Sequence, residues 1–263
     1  MSSLPALLHI WKLFFGFVMV GLMVAGVLWW WLGWSWAIGG LVFLVWSQWE
    51  WWHDIKQKLL GSLAQQIEIE YVETNPESVA IDRQQLDQFT ADHEQLGFQH
   101  VNDIRLSDDC GGSDQDFARL WFHPQHQCFA EIVAIPTPER TDRLLYGSIH
   151  TSFDHDWALS TIQYQPAGIS YMYRGARELW SIHPRASVAD LLHQHLDCCR
   201  RMVQDLGLRA QPMSWDDYVR VNQKVAIARH QRFRYKPIFI ALIEATLYEV
   251  NPPSQWLGDY KPS

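Results

Sequence analysis

Charge is scarce at the start of this chain. Lys12 is the only formally charged residue before Glu50, and the 37 residues from Leu13 to Trp49 carry no charge at all. Over the whole chain charged residues make up 19%, below the typical ~25%. Cysteine is also sparse: Cys110, Cys128, Cys198 and Cys199 have no regular spacing. That excludes a disulfide-stapled miniprotein and offers no CxxC frame for a metal or a redox couple. HExxH, GxSxG and GxxxxGKS/T are all missing, which removes the usual sequence grounds for a zinc protease, an α/β-hydrolase or a P-loop enzyme. There is no internal repeat beyond two apolar segments, and no low-complexity linker. A formal net charge of −8 lacks the basic excess of a nucleic-acid binder.

Tryptophan is abundant. Ten of the 15 copies lie between Trp11 and Trp52. As one straight helix the uncharged stretch would run about 55 Å at ~1.5 Å per residue, nearly twice a ~30 Å hydrocarbon core, and tilt cannot absorb that excess. A break near Leu32–Ser35 gives two spans of roughly 18 residues, each about one bilayer long. Trp29, Trp30, Trp31, Trp34 and Trp36 then cluster at the turn, while Trp11, Trp46, Trp49, Trp51 and Trp52 cluster at the open ends. Indole favours the headgroup region, so Trp49, Trp51 and Trp52 are assigned to the membrane surface. Gly16, Gly21, Gly26, Gly39 and Gly40 would let the two helices approach closely. Lys12, Lys56 and Lys58 flank the open ends, and the positive-inside rule places both ends in the cytoplasm. A single span followed by an interfacial helix is the alternative.

The expected organisation is a transmembrane hairpin and connector over residues 1–64, then a cytoplasmic α+β domain over 65–263. Ile67–Val72 alternates as a strand, and segments at about 99–107, 116–123, 127–135, 143–153 and 157–165 also read as strands, separated by turn-forming residues. These five predict an antiparallel β-meander, with helices packed on one face. Asp82 with Gln85 starts a helix that Gly97 stops, and Ser187 with Asp190 starts a longer one that Gly207 stops. Ser214 caps a third, Pro237 interrupts or restarts it, and 238–250 reads as helix or strand.

Six side chains fall at strand ends and turns: His123, His126, His150, Asp154, His155 and Asp156. Such residues ligate metals or move protons, but their spacing matches no ligand frame, so neither a metal nor a cofactor is expected. A catalytic role requires at least three of them to converge in one pocket. His195 lies on the apolar stripe of its helix and reads as a hydrogen-bonded core histidine. Tyr171, Tyr173, Arg174, Arg177 and Trp180 mix aromatics with guanidinium groups, as partner-binding surfaces do; they could equally seal the sheet edge. Arg220, Lys224 and Arg234 share one helix face that could rest on an anionic leaflet. The favoured expectation is a membrane-tethered cytoplasmic domain with lipids and another protein as partners, acting in assembly, scaffolding or regulation. The alternative is a membrane-bound hydrolase or ligand sensor built on the His/Asp turns.

Overall fold

The computed structural model describes residues 4–61, 63, 67–71, 81–108, 116–135, 144–212 and 214–261. The predicted loop at 136–142, all but the first residue of the loop at 108–113, Cys110 and Val72 lie outside these residues.

Two long helices come first, α1 (Leu4–Leu32) and α2 (Trp34–Gly61). Gly33 alone joins them. Its φ of +88° is a left-handed conformation that glycine adopts without a Cβ clash, and its N–H closes α1 on Trp29 O at 3.2 Å. The reversal falls inside the window that length and tryptophan position select. Close contact depends on two of the five glycines: a Cβ on Gly21 would lie 2.2 Å from Leu44, and one on Gly40 would lie 3.2 Å from Leu28, whereas Gly16, Gly26 and Gly39 face nothing within 4 Å. Of the two expected spans, one meets the length and hydropathy of a membrane crossing. Among the described residues only Leu7–Leu32 (26 residues) is long and apolar enough to cross a membrane. In α2, Gln48, Glu50, His53 and Asp54 enter the helix early and shorten its apolar part. The predicted connector from Asp54 forms the last two turns of α2.

Among the described residues the sheet has eight strands in sequential order: β1 (Ile67–Tyr71), β2 (Gln99–Asp108), β3 (Asp116–His123), β4 (Cys128–Ile135), β5 (Leu144–Ser152), β6 (Ala158–Ile162), β7 (Glu178–Ile182) and β8 (Gln255–Trp256). The five predicted strands correspond to β2–β6. The purely antiparallel meander is corrected, because β6 and β7 run parallel. Between them the chain forms the short helix α4 (Gly168–Met172), which carries it back to the starting end of β6, as a parallel neighbour requires.

Helices cover both faces of the sheet, which corrects the one-sided arrangement. On one face α3 (Arg83–Gln95) and α5 (Val188–Leu206) bury Leu86, Leu191 and Leu192 against Phe98, Trp121, Ile132 and Ile149. The predicted caps hold: Asp82 Oδ1 accepts from Gln85 N at 3.1 Å, and Ser187 Oγ accepts from Asp190 N at 3.1 Å. On the other face α6 (Trp215–Tyr235) lays Tyr218 over Ile104, Leu120 and Phe129. Alternation along each strand serves both layers, so neither face needed to be wet.

Pro237 separates α6 from α7 (Ile238–Val250), which settles the 238–250 ambiguity as helix. In α7, Ala241, Leu242 and Ala245 pack with Phe233, Met172 and Tyr173, and also with Leu7 and Leu60 from the hairpin. Trp11 Nε1 donates to Thr246 Oγ1 at 3.0 Å, and Lys56 Nζ donates to Lys236 O at 2.9 Å. The base of the hairpin and the end of the chain therefore share one core.

Candidate functional site

The six His and Asp candidates occupy three separate places. His123 and His126 lie in and beside the β3–β4 turn, with rings 4.4 Å apart. His123 Nε2 donates to Leu96 O at 3.1 Å, which leaves Nδ1 to accept from His126 N at 3.3 Å. Burial, reinforced by His126, lowers the His123 pKa. Asp154, His155 and Asp156 form a single 3-10 turn after β5. There Asp154 accepts from Arg209 N at 3.0 Å, His155 O accepts from Arg177 at 2.8 Å, and Asp156 pairs with Lys224 at 2.6 Å. His150 stands apart on β5. No group of three or more His, Cys, Asp or Glu among the described residues could hold a metal ion.

The aromatic and arginine residues in and after α4 pack mainly against later parts of the chain. Tyr173 is buried against Phe233, Tyr171 stacks on Tyr248 at 4.7 Å, and Trp180 meets Trp256 at 4.7 Å. Arg174 lies 3.7 Å over the Tyr171 ring and pairs with Glu244 at 2.7 Å. Trp49 is exposed, and Trp51 and Trp52 pack on Phe14 at the hairpin base. Of the basic face, Arg220 pairs with Asp217 and Lys224 with Asp156, while Arg234 is exposed. Both pairs are open to solvent and contribute little stability.

Two concave features bordered by described residues carry polar side chains in number. A cavity of about 110 Å³ under α6 is lined by Glu131, His150, Ser160, Tyr218, Asn222 and Arg229, among others. Strand register builds it, because Ser160 and Phe129 both lie opposite His150, and Glu131 lies opposite Ser148. His150 Nδ1 is 2.8 Å from Ser160 Oγ, and Nε2 is 2.9 Å from Ser148 Oγ and 3.5 Å from Glu131 Oε2. A hydroxyl, an imidazole and a carboxylate in a row have the composition of an acyl-transfer triad. The surroundings are wrong for one. Ser160 is in the middle of β6, which has ladder partners on both sides, so the neighbouring backbone N–H groups are committed and no oxyanion hole is formed.

The chain matches no protein-family model, no curated protein and no solved structure. Its site is therefore read from geometry alone.

The larger feature is a groove of about 630 Å³ at one end of the sheet. Gln85 and Phe89 of α3 form one wall, Leu145 and Tyr146 of β5 the floor, and Gln163, Tyr164, Gln165, Ala167, Ser170, Pro184 and Arg185 the other wall. Hydrogen bonds fix this second wall. Gln163 Oε1 accepts from Gly147 N at 3.0 Å, its Nε2 donates to Ala186 O, and Gln165 Nε2 donates to Tyr248 OH at 2.6 Å. Arg185 has φ of +72° in a turn closed by Ala186 N on His183 O at 3.2 Å. With Pro184 at the second position this is a type II turn, whose third position glycine fills best. A non-glycine residue there costs of order 1 kcal/mol. Among the described residues Arg185 makes no ion pair. The sequence carried no signal for this groove except Pro184–Arg185 itself, a proline turn with arginine where glycine belongs.

Proposed function

We propose that this chain is a membrane-mounted recognition domain whose groove takes a carboxylate-bearing segment of another protein. Arg185 carries the proposal. A guanidinium is held on the rim of a groove of about 630 Å³, at a backbone position that favours glycine, and strain of this kind collects at functional positions. Among the described residues the groove lining contributes amides, tyrosines and a guanidinium, but no carboxylate, thiol or imidazole. That set binds peptide groups and anions and supplies no general base. A photo-crosslinking residue in place of Gln85, in full-length chain expressed in its native membrane, should trap a protein adduct. Arg185→Gly should cut that adduct at least tenfold without lowering the melting temperature, because glycine relieves the turn. An adduct that persists in Arg185→Gly would remove the groove from the reading.

In the same proposal α1 and α2 cross the bilayer together, with both ends of the chain in the cytoplasm. The single-residue turn at Gly33 and the Gly21–Leu44 and Gly40–Leu28 contacts support antiparallel travel of the two helices, and Lys12, Lys56 and Lys58 support the orientation. Reporters fused after Ser35 and after Ser263 are expected outside and inside, respectively. A C-terminal reporter found outside overturns the orientation.

A further inference from the structure

The hairpin is not the only apolar surface on this molecule. On α7, Phe239, Ile240, Ile243, Leu247 and Val250 are 37–67% exposed, and at ~100° per residue they fall within an arc of about 100°. The opposite side of α7 packs into the core it shares with the hairpin, through Ala241, Leu242 and Ala245. No charge interrupts the exposed arc. Glu244, at its margin, is held by Lys236 at 2.6 Å and Arg174 at 2.7 Å, and Glu249 accepts from Gly168 N at 2.6 Å on the far side. An apolar stripe this long on an otherwise packed helix marks an interaction surface.

The surroundings identify what covers it. Phe239 starts the stripe inside the aromatic cluster at the hairpin base, 5.3 Å from Trp11, 6.3 Å from Phe14 and 6.0 Å from Trp52. From there the exposed apolar surface continues onto α1 through Phe15, Phe17 and Met19, which are 57–60% exposed. Trp11 stands about 30 Å along α1 from Trp31, at ~1.5 Å per residue, so this cluster belongs at one edge of a hydrocarbon core. Just before α7 come Arg234 and the 81% exposed Tyr235. Cationic and amphipathic aromatic residues of this kind populate the headgroup layer.

We infer that α7 is an interfacial helix whose Phe239–Val250 stripe lies in the lipid of the same leaflet edge from which the hairpin emerges. This rests on the membrane reading above and assigns the orientation of the domain to apolar burial by α7 instead of to the basic face of α6. A membrane-surface helix held by its apolar side needs only a modest free energy once the hairpin supplies the anchor.

The test uses the full-length chain in phosphatidylcholine–phosphatidylglycerol vesicles. A nitroxide is attached through a genetically encoded ketone residue, so the native cysteines stay in place. Labels replace Ile243, Leu247 or Val250 in turn, with Val24 on α1 and Leu206 on α5 as controls. Collision with oxygen, which concentrates in lipid, is compared with collision with a water-soluble nickel chelate. The three α7 labels are expected to favour oxygen several-fold, as Val24 does, whereas Leu206 favours nickel. Nickel-favouring labels on α7 beside an oxygen-favouring Val24 overturn the inference and leave the hairpin in the membrane. A nickel-favouring Val24 overturns the membrane reading and this inference together. Labels on α7 shielded from both reagents mean that a protein, such as a second copy of the chain, covers the stripe, and that too overturns it.

Discussion

Acidification from pH 7 to 5 is expected to cost this protein about 2 kcal/mol of stability through His195 alone. His195 is fully buried between the sheet and α5, with Nε2 2.8 Å from Thr151 Oγ1 and Nδ1 2.9 Å from Thr161 Oγ1. Burial pushes its imidazole down to about 3, with help from His150 and His126. The two hydroxyls can turn to meet either protonation state, so the obstacle to charge is desolvation and not a missing acceptor. The unfolded chain returns this residue to about 6.5 and binds the proton that the folded chain refuses. Its contribution is therefore complete above pH 6.5 and lost progressively as the pH falls from there toward 3. Denaturant unfolding of the detergent-solubilised chain at pH 7 and pH 5 reads the slope, and His195→Gln should flatten it. His93, His123 and His183, all lowered by burial, leave a residual slope. Equal slopes in parent and variant would show that His195 is not the proton-linked group.

Asp103→Asn should cost roughly 3–5 kcal/mol. The Asp103 side chain is 3% exposed and accepts two bonds of 2.7 Å from Arg119 Nε and Nη2, plus one of 2.9 Å from His100. Burial alone would raise its carboxyl; the hydrogen bonds from Arg119 and His100 and the charge of Arg119 outweigh that and hold it below the usual carboxylate range. The remaining guanidinium arm donates to Thr90 Oγ1 at 3.0 Å and so ties α3 to the sheet. Asparagine would leave a buried cation without its counter-charge. The paired change Asp103→Leu with Arg119→Met should restore most of the loss, because it removes both charges together. A folded carboxyl lowered in this way adds stability above its unfolded value near 3.9, and that contribution disappears as the pH falls through the folded value. It stays constant between pH 7 and 5, so thermal melts across the full range separate it from His195. A small loss in the single variant, or no recovery in the double, would show that the pair is not mutually dependent.

Local signals in the sequence carried the elements well. Ser187, Gly207, Asp82 and Gly97 act at the positions where their chemistry places them, and the reversal at Gly33 falls within the predicted window. Long-range pairing was less legible. Period-two alternation identifies strands but does not say which face a later helix covers, so α6 on the second face and the parallel β6–β7 pair went unseen. The assigned site residues show the same division. His150 was singled out by type, but its neighbours Glu131 and Ser160 reach it only through register across three strands. Tyr171, Tyr173 and Arg174 read either as a recognition surface or as a seal of the sheet edge, because the sequence does not show that Tyr248, Trp256 and Glu244 from the far end of the chain would meet them. The groove went unseen because its walls come from five separate elements and its signal is one backbone angle, that of Arg185.

The shared core at the hairpin base changes what a truncation means. A cut at 64/65 looks clean in the sequence, between an anchor and a folded domain. In the folded chain it would strip Leu7, Ile10, Trp11, Trp52 and Leu60 from Phe233, Ala241 and Leu242, and leave a raw apolar scar where α7 meets α6. The amputated fragment would carry this scar beside the exposed stripe of α7, and would stick to itself before it could report on any ligand. The hairpin is thus a keystone of the fold, and the domain's core is complete only while it remains attached.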